Sequence, residues 1–252
     1  MKRLSQSLEW SMTRFLIAAN VGLFGFAVIA NAMEVEVRLP FVLLSGPVVG
    51  IEARVLEDVI EKNPGITTVI LKNSKGGDAN AGYMVGELIR EHGLDTALSG
   101  YCMSSCSRMF LGGTHRSFSD DQPLEKTFVA FHGNYADDGR LLTARMPGLK
   151  KWILKYSDGK ANPQLVQQWV DLQNHSGFAY FYHQQAKVRL GPEKVMLCQG
   201  TEEPKARAQQ CEKPEFGDAL SNGIVTTWVV LQTKLQDAGQ SPDLVINHEE
   251  KR

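Results

Sequence analysis

Apolar and polar positions fall into short alternating blocks along this chain, and the blocks change period from two to between three and four. Phe41 to Val48 is a short apolar strand broken at Gly46-Pro47. Ile51 to Lys62 has helical spacing, with Val55, Val59 and Ile60 on one side, and Asn63-Pro64-Gly65 stops it. Thr67 to Leu71 is β-branched and apolar, as a buried strand is, and Ser74-Lys75-Gly76-Gly77 forms a turn after it. Ala81 to Glu91 reads as a second helix with Gly93 as its stop. Thr96 to Gly100 is a strand, Ser104 to Leu111 a short helix ended by Gly112-Gly113, and Thr127 to Phe131 a further strand. Strands alternating with helices imply β-α-β units and a mostly parallel sheet flanked by helices. From Asn134 to Gly159 the pattern weakens. Gln164 to Leu172 and Phe178 to Val188 read as helices, Gln199 to Pro214 as a polar loop, Asp218 to Gly223 as a helix end and turn, and Ile224 to Val230 as a strand or the start of a last helix.

The N-terminus has a different character. Lys2, Arg3 and Arg14 make a basic start, offset by Glu9, and Phe15 to Ala30 follow without a charge. Ala30-Asn31-Ala32 is a small-x-small cleavage pattern. Basic, apolar and small residues in that order read as a secretory signal. The run contains Asn20 and is shorter than the roughly 20 apolar residues of a spanning helix. Cleavage after Ala32 is therefore expected, and membrane attachment only if the signal is uncleaved. The expected organisation is a signal peptide over 1–32, one domain over 33–236 and a polar tail over 237–252, with the mature protein periplasmic or extracellular.

Charge adds little to this picture. The chain carries 27 Lys and Arg against 28 Asp and Glu, net −1 with neutral His, which does not suggest a nucleic-acid partner. The cysteines add more. Cys102, Cys106, Cys198 and Cys211 are an even set, and an exported chain permits two disulfides. Cys102–Cys106 with Cys198–Cys211 is the favoured pairing, because a strand end and a first helical turn bring Cα atoms to roughly the ~5.5–6 Å that a bridge needs. A crossed pairing such as Cys106–Cys198 is the rival. Zinc is a poorer reading, since the Cys-x3-Cys and Cys-x12-Cys spacings lie far apart with no paired His nearby.

Three points carry candidate chemistry. Asn73-Ser74-Lys75-Gly76-Gly77 follows a buried strand, where paired glycines can leave backbone N–H groups facing a site. Gly100-Tyr101-Cys102-Met103-Ser104-Ser105-Cys106 places a serine at a strand-to-helix junction, where it is either an N-cap or a nucleophile beside oxyanion donors. His132 follows the apolar strand Phe128 to Phe131, where a general base or a structural histidine can sit.

Their order and spacing resemble the Clp protease proteolytic subunit and its wider Clp/crotonase superfamily. Family members carry Asn-Ser-Pro-Gly-Gly where this chain has Asn73-Ser74-Lys75-Gly76-Gly77. They carry Gly-x-Ala-Ala-Ser-x-Gly, with a glycine nine residues after the serine; here the step from Gly100 to Ser104 is the same and Gly113 lies nine after Ser104, followed by a basic residue, Arg116. The family His-Gln-Pro is His132-Gly133-Asn134 here, and Asp218 to Val225 looks like the Ala-x-x-x-Gly-Leu-Val segment. The resemblance implies a fold of repeated β-β-α units. It also implies Ser104 as nucleophile, His132 as base, and an oxyanion hole made by the Gly77 and Ser105 N–H groups. Rings or trimers are common in the superfamily, so it implies a homo-oligomer as well.

The departures are Cys102 and Met103 for the two alanines, Cys106 for the glycine, and no alignable acid. Glu202, Glu203 and Glu212 are nearest in sequence, with Asp171 as a further candidate. Lys75 offers a Ser-Lys dyad only if its amine is desolvated. The resulting expectation is an exported serine hydrolase for peptide or ester substrates, without metal, cofactor or ATPase partner. A crotonase-type acyl-CoA reaction shares the fold, but CoA is cytoplasmic. A binding or scaffold protein on the same fold is the alternative from another class.

Overall fold

The computed structural model describes residues 32–201 and 211–233. The signal reading over 1–32 and the polar tail over 237–252 thus lie outside the described residues, Ala32 excepted. The described strands join into one sheet, parallel at its centre and antiparallel at both margins. β1 (Glu34–Arg38) runs antiparallel to β2 (Phe41–Ser45). β2, β3 (Thr68–Ser74) and β4 (Asp95–Met103) are parallel neighbours. Between them α1 (Glu52–Lys62) and α2 (Ala79–Glu91) cross back. At the end of α2, Gly93 at φ 65° donates to Arg90 O and Leu94 to Ile89 O, a Schellman closure.

β4 changes partners along its length. Thr96 to Leu98 pair with β5 (Arg116–Phe118), and Tyr101 to Met103 pair with β6 (Phe128–Phe131). The bend between them falls at Gly100, φ 74°. A Cβ there would lie 2.0 Å from the Asn73 side chain, and Asn73 is itself at φ 46°, where the β3–β4 register shifts. Only glycine lets the two strands meet at this kink.

Alternate β2–β4 side chains divide between two faces. Val42, Leu44, Val69, Leu71 and Leu98 join the main core, whereas Phe41, Leu43, Ile70 and Ala97 form a smaller cluster under Leu231. Within the main core α2 meets α3 (Ser105–Gly112) at backbone distance. A Cβ on Gly82 would lie 2.5 Å from Ser105 O, and one on Gly112 2.2 Å from Gly86 O. This approach fixes the depth of α3 and hence of its N-terminus. Arg116 locks the other end. It is fully buried and donates to the carbonyls of Gly113, Gly223 and Ile224 and to Asp158.

Past β6 the structure corrects several expectations. The weak stretch from Asn134 contains α4 (Met146–Tyr156), whose Leu149, Trp152, Ile153 and Tyr156 are buried at helical spacing. α5 (Pro163–Val170) starts on Asn162, which accepts from the Gln164 and Leu165 amides. The predicted helix over Phe178 to Val188 is instead β7 (Phe178–Tyr182), antiparallel to β6. From Ala179 onward it follows period two: Ala179 and Phe181 are fully buried, and Tyr180 and Tyr182 half-buried. β8 (Val195–Cys198) and β9 (Cys211–Glu212) continue antiparallel, so the expected loop over Gln199 to Pro214 holds a short strand at Cys211–Glu212. Ile224 to Val230 is neither strand nor helix, and its start is held by Arg116, which donates to the carbonyls of Gly223 and Ile224.

Candidate active site

Ser104 sits between β4 and α3 at φ 55° and ψ −123°, and its side chain does not cap the helix. A non-glycine residue held there is strained, at a cost of order 1–3 kcal/mol. Its surroundings impose the conformation. The Ser104 N–H donates to Ala130 O at 3.0 Å, and Ser104 O accepts from Ser107 N and, at 2.6 Å, from Ser107 Oγ. Cys102 and Cys106 are disulfide-bonded across this turn, with Cα atoms 5.3 Å apart. Cys198 and Cys211 are likewise bonded, across the β8–β9 ladder. The favoured pairing is thus the one in the structure, and the cysteines of the rival zinc reading are bonded to one another.

The pairing of Met103 with Ala130 puts Ser104 level with the end of β6. Two residues beyond Ala130, the His132 Nε2 lies 2.7 Å from Ser104 Oγ. Its Nδ1 lies 3.1 Å from His175 O. A carbonyl only accepts, so Nδ1 carries the proton and Nε2 is left to accept the Ser104 O–H. Phe178 stacks on the imidazole at 4.2 Å between centroids, and the Tyr135 ring lies at 4.9 Å. Tyr135 is anchored by donating to Leu172 O at 2.6 Å. Burial pushes the His132 pKa down to about 3, and the positive charge of Arg108 acts in the same direction, against the smaller opposing effect of the His175 hydrogen bond. The ring is therefore neutral at ordinary pH.

The Gly76-Gly77 loop closes the third side. A Cβ on Gly76 would lie 2.6 Å from Met103 O, 2.7 Å from Ser104 Cβ and 2.9 Å from Ser105 N. Val48 clamps the loop by donating to Gly76 O and accepting from Asp78 N, bonds that do not use the Gly77 amide. Ser105 is the first residue of α3, so its N–H has no intrahelical acceptor. A cavity of about 370 Å³ opens here, lined by Gly77, Ser104, Arg108, His132, Asn134 and Tyr135 among others.

The other candidates fall elsewhere. Ser105 Oγ is buried without a hydrogen-bond partner, so of the two adjacent serines only Ser104 reaches His132. Lys75 is exposed, without the desolvation a Ser-Lys dyad needs. Asp171 caps the end of α5 and accepts from Gln167, and Glu212 is exposed in β9; neither bonds to His132. Glu202 and Glu203 lie outside the described residues. The group that orients His132 is a main-chain carbonyl, which no residue type announces. Arg108 was also unforeseen, although a charge inside the short apolar helix Ser-Cys-Ser-Arg-Met-Phe-Leu was a visible signal. Among the described residues no cluster of three His, Cys, Asp or Glu could hold a metal, and no helix is long and apolar enough to cross a membrane.

No protein-family model matches this sequence, and no curated protein matches it in sequence. Among solved structures, the chain is similar to ClpP1 from Listeria monocytogenes, at 12% identity over 74% of this chain and 89% of that one, with a TM-score of 0.45. It is also similar to the 1510-N membrane-bound stomatin-specific protease S97A mutant, at 10% identity over 73% and 75%, with a TM-score of 0.43. A third similar structure is PA4980 from Pseudomonas aeruginosa, at 12% identity over 61% and 72%, with a TM-score of 0.40. At such identities these likenesses concern the path of the chain and not its chemistry.

Proposed function

We propose that this protein is an exported serine hydrolase of the Clp-protease-like kind, acting on peptide or ester bonds without ATP. One observation carries the reading: a neutral imidazole held 2.7 Å from the hydroxyl of a serine in a strained strand-to-helix turn. Ser104 Oγ attacks the substrate carbonyl as its proton passes to His132 Nε2. The imidazolium keeps its Nδ1–H on His175 O. The Gly77 and Ser105 N–H groups donate to the developing oxyanion. Collapse returns the proton from Nε2 to the leaving group, and a water, deprotonated by the same nitrogen, releases the acyl group from Ser104. Export is supported by the basic-apolar-small order of the first 32 residues and by the two disulfides.

A second reading, a binding protein that has lost turnover, is favoured by one observation: among the described residues His132 hydrogen-bonds to no carboxylate. A serine-reactive fluorophosphonate separates the two. Labelling of the wild type that disappears in Ser104→Ala is the expected result. A folded wild type that takes no label between pH 5 and pH 9 would leave only the binding protein.

A further inference from the structure

Arg108 is a buried cation that hydrogen-bonds to no anion among the described residues, although the charge of Asp78 acts on it from a distance. It lies one helical turn after Ser104, and helical side chains lean toward the N-terminus of their helix. Its side chain lines the same cavity as Ser104 and His132. Only 3% of the residue is exposed. Nη2 donates to Asn134 Oδ1 at 2.7 Å, and the guanidinium carbon lies 4.7 Å from the centroid of the Tyr83 ring. Nη1 is closed to solvent and has no hydrogen-bond partner among the described residues.

Arg116 shows what a satisfied buried arginine looks like here. It has three carbonyls and the Asp158 carboxylate. Arg108 has one neutral amide and a ring face. A buried charge left so poorly compensated is expensive, and an incoming anion is the natural complement.

The acidic groups nearby do not fill that place. Asp78 is engaged in capping α2 through the Ala81 amide. Asp137 and Asp138 are exposed at the cavity mouth, and Asp138 pairs with Arg140.

We propose that Arg108 recognises a carboxylate carried by the substrate close to its scissile carbonyl. The inference rests on the hydrolase reading of the Ser104–His132 pair. The guanidinium turns within the cavity wall so that Nη1 meets the carboxylate while Asn134 holds Nη2. The carboxylate has two sources in a peptide, an acidic side chain next to the scissile bond or the free C-terminus. In either case it also offsets the positive charge that opposes protonation of His132, so recognition shows in kcat as well as in KM.

The test has a binding part and a cleavage part. Glutarate and the neutral glutaramide are titrated calorimetrically into Ser104→Ala protein. Glutarate is expected to bind and glutaramide not, and Arg108→Met in the same background weakens glutarate roughly 10- to 100-fold. Should Arg108→Met fail to fold, the contrast between the two ligands decides. Equal binding of both, or no binding of glutarate at tens of millimolar, overturns the inference.

In wild type, peptides with Glu or Gln before the scissile bond, and peptides with a free or amidated C-terminus, identify the source. A preference for the charged member of one pair is expected. Cleavage of all four at similar rates overturns the inference and leaves the hydrolase reading standing. Glutarate binding without any cleavage does the reverse.

Discussion

His132 Nδ1 lies 3.1 Å from the carbonyl oxygen of His175, at the place where a carboxylate would complete a triad. A carbonyl fixes the tautomer and the ring plane as a carboxylate does, but it brings no negative charge to stabilise the imidazolium. Among the described residues the imidazole is thus oriented without a carboxylate to stabilise its charged form. Substituting the candidate acids should have little effect: Asp171→Asn and Glu212→Gln are expected to keep kcat/KM within about threefold of wild type, as is usual for surface changes of under about 0.5 kcal/mol. A loss of two orders of magnitude in either variant would place a carboxylate in the catalytic unit.

Ser104 and Ser105 are adjacent but predict opposite outcomes. Ser104→Ala removes the hydroxyl that meets His132 and should lower turnover by on the order of 10⁴ or more. Ser105→Ala keeps the amide and discards a buried hydroxyl with no partner, so activity is retained and the melting temperature stays level or rises. Loss of activity confined to Ser105→Ala would reverse the assignment of the nucleophile.

Much of this site was legible because its parts are marked by residue type at fixed spacing. Gly76-Gly77, Ser104 and His132 each follow a strand, and parallel pairing of β3, β4 and β6 brings strand ends to one edge. The orienting group of His132 was not legible, because a main-chain acceptor has no side-chain signature. Phe178 to Tyr182 misled because an aromatic run long enough for a helical turn also suits a strand, and only pairing with β6 decides. α4 was hidden by the polar stretch before it, although Leu149, Trp152, Ile153 and Tyr156 carry its period.

Gly76 is where the loop and the serine turn touch. At φ 83° and with a prospective Cβ 2.6 Å from Met103 O and 2.9 Å from Ser105 N, alanine cannot be accommodated without displacing backbone. Gly76→Ala should destabilise the fold by about 1–3 kcal/mol. It should reduce kcat further than that loss explains, by roughly 10²-fold, as one misplaced oxyanion donor does. Thermal melts and kcat measured on the same folded sample check this. A normal kcat in a destabilised protein would show that the loop does not set the oxyanion site.

The pH dependence follows from the depressed His132 pKa. An unfolded histidine titrates near 6.5, whereas burial, with Arg108 adding to it, holds folded His132 at about 3. Between these values the unfolded chain binds the proton and the folded protein does not, so stability rises with pH. The contribution is complete above pH 6.5 and is lost as pH falls toward 3. Denaturant titrations should therefore show stability declining below pH 6.5 in wild type, and a shallower decline in His132→Asn. Turnover should show no inflection near pH 6.5, because the base is already neutral there. A bell-shaped profile with its acid limb near 6.5 would mean that the ring titrates normally.

The two disulfides should separate in their effects. Cys102 and Cys106 are both fully buried and bracket the serine turn, so a thiol reductant without denaturant should leave the bridge intact and activity unchanged. Replacing both residues removes a constraint worth about 2 kcal/mol on the loop-entropy model for so short a loop. It also frees the turn that holds Ser104 at its strained φ, so Cys102→Ser with Cys106→Ser should lower kcat at temperatures where the protein is still folded. The Cys198–Cys211 bridge closes the longer loop, with a sequence separation of 13, and is worth about 3 kcal/mol on the same model. It lies on the β8–β9 ladder and meets the site through Phe178, which pairs with Cys198 and stacks on His132, so Cys198→Ser with Cys211→Ser should lower the melting temperature more and kcat less. Melting curves and kcat for the two double variants, with non-reducing peptide maps of the wild type, decide the matter. Equal kcat in both double variants would show that the Cys102–Cys106 bridge stabilises the fold without positioning Ser104, and a Cys106–Cys198 peptide in the map would overturn the pairing itself.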